Sequence, residues 1–149
     1  MLKSQLTADL RSAMKSRDET VTRTLRMALA AIGTAEVAGK VKKELTDSEV
    51  LSVLVKEAKK RAEAAEAFAG AGRPEQAAAE KAEEAVLTAY LPKQLSDAEL
   101  TEAVTGALAG SDFSGPGAMG PAMKAAWAAV GDKADGGRVS AEVKRQLGL

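Results

Sequence analysis

Apolar residues recur along this chain at helical intervals almost from end to end. Leu2, Leu6, Leu10, Ala13 and Met14 form one stripe, with Lys3, Arg11 and Lys15 off it, as an amphipathic helix over residues 2–16 requires. Arg17-Asp18-Glu19-Thr20 is a polar break, after which Val21, Leu25, Ala28, Leu29 and Ile32 make a second stripe, and Gly39 is the expected end of that helix. Thr46-Asp47-Ser48-Glu49 has the form of a capping box. It opens a long helix with Leu51, Leu54, Val55, Ala58, Ala62, Ala65 and Phe68 as the expected buried stripe. Gly70 to Pro74 breaks it, and Pro74 suits the first turn of a fourth helix. There Ala78, Ala82, Ala85, Val86, Ala89 and Tyr90 are expected inward, and Glu75, Glu80, Lys81, Glu83 and Glu84 in water.

Pro92 lacks an amide donor and disfavours helical geometry at Leu91, so the fourth helix stops there. The domain boundary is set at this point: residues 1–92 form an N-terminal helical domain and residues 93–149 a smaller one. Ser96-Asp97-Ala98-Glu99 is a second capping box, followed by Leu100, Ala103, Val104, Ala107 and Leu108. Residues 110–117 read as a loop. Met119, Ala122, Met123, Ala126, Trp127 and Val130 make the next stripe, and Ser140 is expected to cap a last helix burying Val143 and Leu147. The fold class is all-α: about four helices in an N-terminal bundle and three in a C-terminal bundle, antiparallel because the connections are short.

Composition narrows the chemistry. Much of the apolar content is alanine, and the aromatics are one tryptophan, one tyrosine and two phenylalanines, which suits closely packed helices. With neither cysteine nor histidine in 149 residues, disulfides, thiolate or imidazole metal sites and histidine-based triads are excluded. No metal and no cofactor is expected, and no catalytic constellation is visible. Lys plus Arg equals Asp plus Glu at 21 each, against the basic balance of a general polyanion binder; a local basic face remains open. No apolar run reaches the roughly 18 residues of a membrane span. The N-terminus does not resemble a secretory signal, so no membrane partner and a cytoplasmic location are expected.

Several clusters could carry function. Arg23 and Arg26 share a face and, with Arg11 and Lys15, could grip phosphates; the competing reading is a solvated face paired with Asp18, Glu19 or the third helix. Lys56 to Glu66 reads as a self-paired exposed face, with Glu57 and Arg61 at i, i+4. Met119-Gly120-Pro121-Ala122-Met123 either offers free amides at a helix start or packs tightly in the core. Lys133 to Ser140 joins the last two helices. It is either a basic, amide-rich contact for RNA backbone or a plain turn built on Asp135 and its glycines. Asp97, Glu99 and Glu102 fit the helix macrodipole better than acid–base work.

Taken in order, these residues resemble the GatB/YqeY family, whose members are free-standing YqeY-like proteins related to the C-terminal tail of the B subunit of aminoacyl-tRNA amidotransferases. Leu10, Ala13, Met14, Arg17 and Asp18 match, as do Leu25-Arg26-Met27, Lys56 to Arg61, Tyr90-Leu91-Pro92-Lys93-Gln94-Leu95, Met119-Gly120 and Lys133-Ala134-Asp135-Gly136. The resemblance implies a helical domain followed by a three-helix tail like the one that holds the tRNA body in the amidotransferases. It also brings the family label of carbon–nitrogen ligase with glutamine as amido-nitrogen donor, although ammonia production and activation belong there to other domains and subunits. Two positions depart from the pattern: Pro121 stands where lysine is frequent, and Asp132 where glycine precedes the Lys-Ala-Asp-Gly turn. The implied function is a tRNA-binding or tRNA-metabolism accessory protein, with tRNA or a tRNA-metabolism protein as partner. Lys124, Lys133, Arg138, Lys144 and Arg145 are the candidate RNA contacts, and Arg11, Lys15, Arg23 and Arg26 a secondary basic cluster. The alternative is a protein–protein interaction module with no RNA role, using apolar surface near Tyr90 to Leu95.

Overall fold

The structure, a computed structural model, describes residues 1–115 and 117–149; Pro116, in the predicted 110–117 loop, lies outside the described residues. Among the described residues the chain forms seven α-helices, one short 3-10 turn and no strand. It divides into two compact units, Met1–Leu91 and Pro92–Leu149.

In the first unit, α1 (Leu2–Ser16) and α2 (Glu19–Glu36) form a hairpin. The polar break at their joint is a pair of caps. Arg17 adopts a left-handed conformation with φ 59°, which lets the Asp18 amide donate to the Ala13 carbonyl at 3.0 Å. The Asp18 carboxylate then accepts from the Val21 amide at 3.1 Å and starts α2. That helix ends at Glu36 rather than at Gly39, because Glu36 is where the chain coming back is fastened. Its carbonyl accepts from the Lys43 amide at 2.9 Å. Its carboxylate accepts from Lys3 Nζ at 2.7 Å and from the Leu45 amide at 3.3 Å. The Lys3 ammonium, aided by the Leu45 amide, holds this buried carboxyl below the usual glutamate range.

The capping box at Thr46 and Glu49 is present, with both reciprocal bonds formed, and opens α3 (Asp47–Gly70). Ala71 to Arg73 turns the chain into α4 (Pro74–Thr88), with Pro74 in its first turn. Leu6, Leu25, Ala28, Ile32, Val50, Leu54, Ala58 and Leu87 make the core. Tyr90 Oη donates to Asp9 Oδ2 at 2.5 Å; burial first, and this bond second, raise the phenol's pKa.

Two helices are rotated from expectation. The buried face of α3 is Val50, Leu54, Glu57, Ala58, Arg61 and Ala65; Leu51, Val55, Ala62 and Phe68 are only half-buried. In α4 the expected inward alanines 78, 82, 85 and 89 are exposed, while Ala77, Glu83 and Leu87 are buried. A helix with alanine on every side has no apolar stripe to read, so its orientation is decided by what its other side chains meet. Met14, placed in the first stripe, is 49% exposed.

The second unit holds α5 (Asp97–Leu108), α6 (Met119–Val130) and α7 (Gly136–Leu147), with a 3-10 turn at Gly131–Lys133. The Ser96–Glu99 capping box is formed. Leu100, Val104, Ala122, Met123, Ala126, Val130, Ala134, Val139 and Val143 make its core, with Leu147 packed against it.

Arg17 is the one non-glycine residue at positive φ among the described residues, and a left-handed L-residue costs about 1–2 kcal/mol. Arg17→Gly removes that strain but gives glycine's larger unfolded-state entropy. The net expectation is a gain of about 0.5 kcal/mol, read as a higher urea midpoint at unchanged slope.

Candidate functional site

Tertiary contacts sort the sequence candidates into engaged and free cations. In α7, Arg138 is engaged. Its Nη2 donates to the Leu95 carbonyl at 2.9 Å and to Asp97 Oδ1 at 3.0 Å, tying the start of α7 to the start of α5. Arg145 is also engaged: its Nε and Nη2 hold the two oxygens of Glu142 at 3.0 and 2.6 Å. Gln146 donates to the same carboxylate at 2.8 Å and to the Thr101 carbonyl at 3.1 Å. Arg138, Glu142 and Arg145 therefore line one groove between α5 and α7, of about 250 Å³, with Asp97, Leu100, Thr101 and Ala141. The Arg145 bonds, then that of Gln146, pull the Glu142 carboxyl down to about 2.

Lys144 lies about 120° around the helix from Arg138. It is exposed and forms no ion pair among the described residues. Lys124, on the outer face of α6, and Lys133, in the 3-10 turn, are also exposed and unpaired among the described residues. The backbone under Lys133 is fastened: its carbonyl accepts from the Leu95 amide at 2.7 Å, and the Asp132 carbonyl accepts from Gln94 Nε2 at 2.9 Å. Lys133 is thus a free cation on an anchored turn. The last helix begins earlier than expected. Asp135, not Ser140, is its cap, accepting from the Gly137 amide at 2.9 Å. Ser140 sits inside α7. The expected loop at 133–140 is mostly first-turn helix, because the Asp135 carboxylate satisfies an amide of the first turn and so starts the helix there.

Gly120 lies in the first turn of α6, and a Cβ there would meet nothing within 4 Å. No tight interhelix contact requires glycine at this site. Trp127, expected in the core stripe, is 52% exposed.

The secondary cluster is taken apart by the fold. Arg11 and Lys15 stay on the exposed face of α1. Arg26 Nη2 lies 3.8 Å from Met14 Sδ. Arg23 Nε donates to Glu83 Oε1 at 2.8 Å, a partner on α4 that the apolar pattern puts in water. This bond, with the Glu83 charge, raises the Arg23 pKa.

That contact leads to a cluster the sequence pattern does not reveal. Glu57, Arg61 and Glu83 are 8%, 6% and 6% exposed, although the run from Lys56 to Glu66 is expected outside. Arg61 Nη1 donates to Glu57 Oε2 at 2.9 Å. Its Nε lies 3.6 Å from Glu83 Oε2, within ion-pair range but with no hydrogen-bond partner. Its Nη2 is 3.5 Å from Met27 Sδ, and Lys60 Nζ donates to the other Glu57 oxygen at 3.0 Å. The i, i+4 spacing of Glu57 and Arg61 is visible in the sequence; that the pair points inward depends on Glu83 arriving from α4. The carboxylates are fully occupied by cations, so the cluster holds α2, α3 and α4 in register and leaves no free acid–base group.

Fold and site together define a two-unit all-helical protein whose Arg23, Arg61 and Arg138 are spent on contacts between helices and whose second unit carries four exposed lysines, Lys93, Lys124, Lys133 and Lys144, that form no ion pair among the described residues. The Yqey-like protein family matches residues 3–147, and the chain belongs to that family. Comparison with curated proteins gave no match. Among the described residues no helix is long and apolar enough to cross a membrane, and no group of three or more side chains that could hold a metal ion converges.

Removing one member of a buried pair strands the other and costs about 3–5 kcal/mol, whereas apolar replacement of both is near neutral. Because Arg61 keeps Glu57, Glu83→Ala should lower the urea unfolding free energy by less than that, about 1–3 kcal/mol, and the double change Glu83→Leu with Arg61→Met should restore part of it, Glu57 keeping Lys60. A second expectation concerns Glu142. Its folded pKa lies below its unfolded value of about 4.3, so its contribution to stability is whole above that value and is lost as pH falls through about 2. A carbon-detected NMR titration should place its inflection there, and Arg145→Ala should move it up toward the ordinary glutamate range.

Proposed function

We propose that this protein is a tRNA-binding accessory factor of tRNA metabolism, acting without catalysis of its own, with the second unit as its RNA contact. The observation that carries this reading is the set of exposed lysines there that form no ion pair among the described residues: Lys124, Lys133 and Lys144, with Lys93 at the start of the unit. Phosphate contacts position RNA through such cations. Arg138 and Arg145 contribute by shaping the α5–α7 groove, since their guanidinium groups already hold Leu95, Asp97 and Glu142. In this reading the glutamine-dependent carbon–nitrogen ligase label belongs to larger enzymes that share the tail, and the protein works on tRNA in the cytoplasm.

A second reading, a protein-interaction module, is favoured by a specific surface on the first unit. An open groove of about 390 Å³ between α2 and α3 is lined by Ala31, Thr34, Ala35, Ala38 and Val53 with Lys56, Glu57 and Lys60 along the α3 side, and Val37 and Val41 just beyond α2 are exposed.

Filter binding with bulk tRNA distinguishes the two. At about 100 mM salt the protein should bind in the micromolar range or tighter, with log affinity falling linearly in log salt. Replacing Lys124, Lys133 and Lys144 together by alanine should weaken binding at least tenfold and reduce the salt slope by about 2–3. Arg145→Ala should change it little. Absence of binding below tens of micromolar, or binding indifferent to the triple replacement, removes the RNA reading.

A further inference from the structure

The outer flank of α6 carries an arrangement that the lysines alone do not explain. Gly120, Lys124, Trp127 and Gly131 follow one another at i, i+4, i+7 and i+11, so they share one flank of the helix. The inward positions of α6 are filled by Ala122, Met123, Ala126 and Val130, with Met119 packed against the same core. Trp127 is not needed there and leaves 52% of its surface in water. The residues three and four positions from it are Met123 and Val130, both buried, Lys124, which is exposed, and Gly131. A Cβ built at Gly120 or at Gly131 would meet nothing within 4 Å. The flank is therefore low at both ends, with the indole standing in the middle, Lys124 one turn before it, and Lys133 two residues past Gly131 on its fastened turn.

A half-exposed indole beside free ammonium groups is complementary to a planar apolar ring that carries a nearby negative charge. An unpaired nucleotide is such a group: its base stacks on an aromatic face and its phosphate meets a lysine. In an A-form duplex the bases are stacked on each other and their faces are closed to a side chain. We propose that Trp127 is a stacking platform for an unpaired base, with Lys124 and Lys133 as its phosphate contacts, so that the second unit selects single-stranded or looped RNA over duplex. This rests on the RNA-binding reading above and specifies the substrate class of that site. A protein partner using the same indole is the competing occupant; Lys124 on the same flank and Lys133 on the turn that follows favour the nucleotide.

Trp127 is the only tryptophan in the chain, so intrinsic fluorescence reports on this site alone. The test titrates the full chain with a single-stranded oligoribonucleotide of about 12 nucleotides, a length within the range for one such platform, and with the same strand annealed to its complement. Filter binding runs in parallel. The expected result is strong quenching by the single strand and little by the duplex, with Trp127→Ala weakening single-strand binding about tenfold or more and Trp127→Phe keeping most of it. Circular dichroism establishes that the variants remain folded. If RNA binds on filters with no quenching, or binds single strand and duplex alike, or is indifferent to Trp127→Ala, the stacking assignment is overturned while RNA binding stands. If neither RNA is retained nor quenches, both readings fall.

Discussion

Arg61 governs the first unit because a buried guanidinium must be surrounded by acceptors. It sits on the inner face of α3 and needs carboxylates close by. Glu57, one turn earlier, supplies one at 2.9 Å; the other must come from another helix. Glu83 supplies it, and α4 turns its acidic edge inward to do so. Arg23 of α2 then completes Glu83 from the far side at 2.8 Å. Three helices are thereby set in rotation by charge pairing where their alanine-rich surfaces would accept several rotations. Desolvation opposes such pairs, so their net stabilisation is small. Their effect is on which arrangement forms, since any rotation that separates Arg61 from Glu83 leaves two buried charges each with one partner fewer. Arg61 Nε, in ion-pair range of Glu83 but without a hydrogen-bond partner, shows that the geometry is a compromise among packing and pairing.

The second unit uses its charges differently. Arg138 fastens the start of α7 to the segment before α5, while Arg145, exposed on the groove's rim, holds Glu142 on its own helix. The turn before α7 is bound to the segment before α5 through the Leu95 amide and Gln94 side chain, and Asp135 caps α7 itself. The lysines are left over. Lysine's long stem and strongly hydrated head make it the poorer partner for a planar carboxylate bond and the better free surface charge. The division between fastening arginines and free lysines is what separates structural from candidate binding roles here, and both departures from the family pattern, Pro121 and Asp132, lie beside the free set without occupying it.

Much of this was legible in the sequence, and unevenly. The caps were clear, because Thr46 with Glu49 and Ser96 with Glu99 are local chemistry that needs no tertiary partner. Leu6, Leu25, Ile32, Leu54, Leu100, Val104 and Val143 were placed inward correctly, because large apolar groups at helical spacing have one low-energy destination. Misreadings cluster where the residue type allows two answers. Ala78, Ala82 and Ala85 lose little in water, so nothing local decides whether they are buried. Trp127 falls at the spacing of the α6 stripe, but Met123 and Val130 fill that core and leave the indole 52% exposed. Ser140 and Asp135 are both good caps, and the helix starts at the earlier one, where the Asp135 carboxylate meets the Gly137 amide.

By itself, then, the sequence determined an all-helical chain, the start of nearly every helix and most of the large-residue core, since propensity, capping and apolar periodicity act over a few residues. Only the tertiary structure decided which charges are buried and which are free. An ion pair's worth depends on burial and on partners distant in the chain, and neither is a property of the residues taken one at a time. Glu83 reads like any surface glutamate until Arg61 and Arg23 converge on it, and Lys133 differs from Arg138 only once Asp97 has claimed the latter.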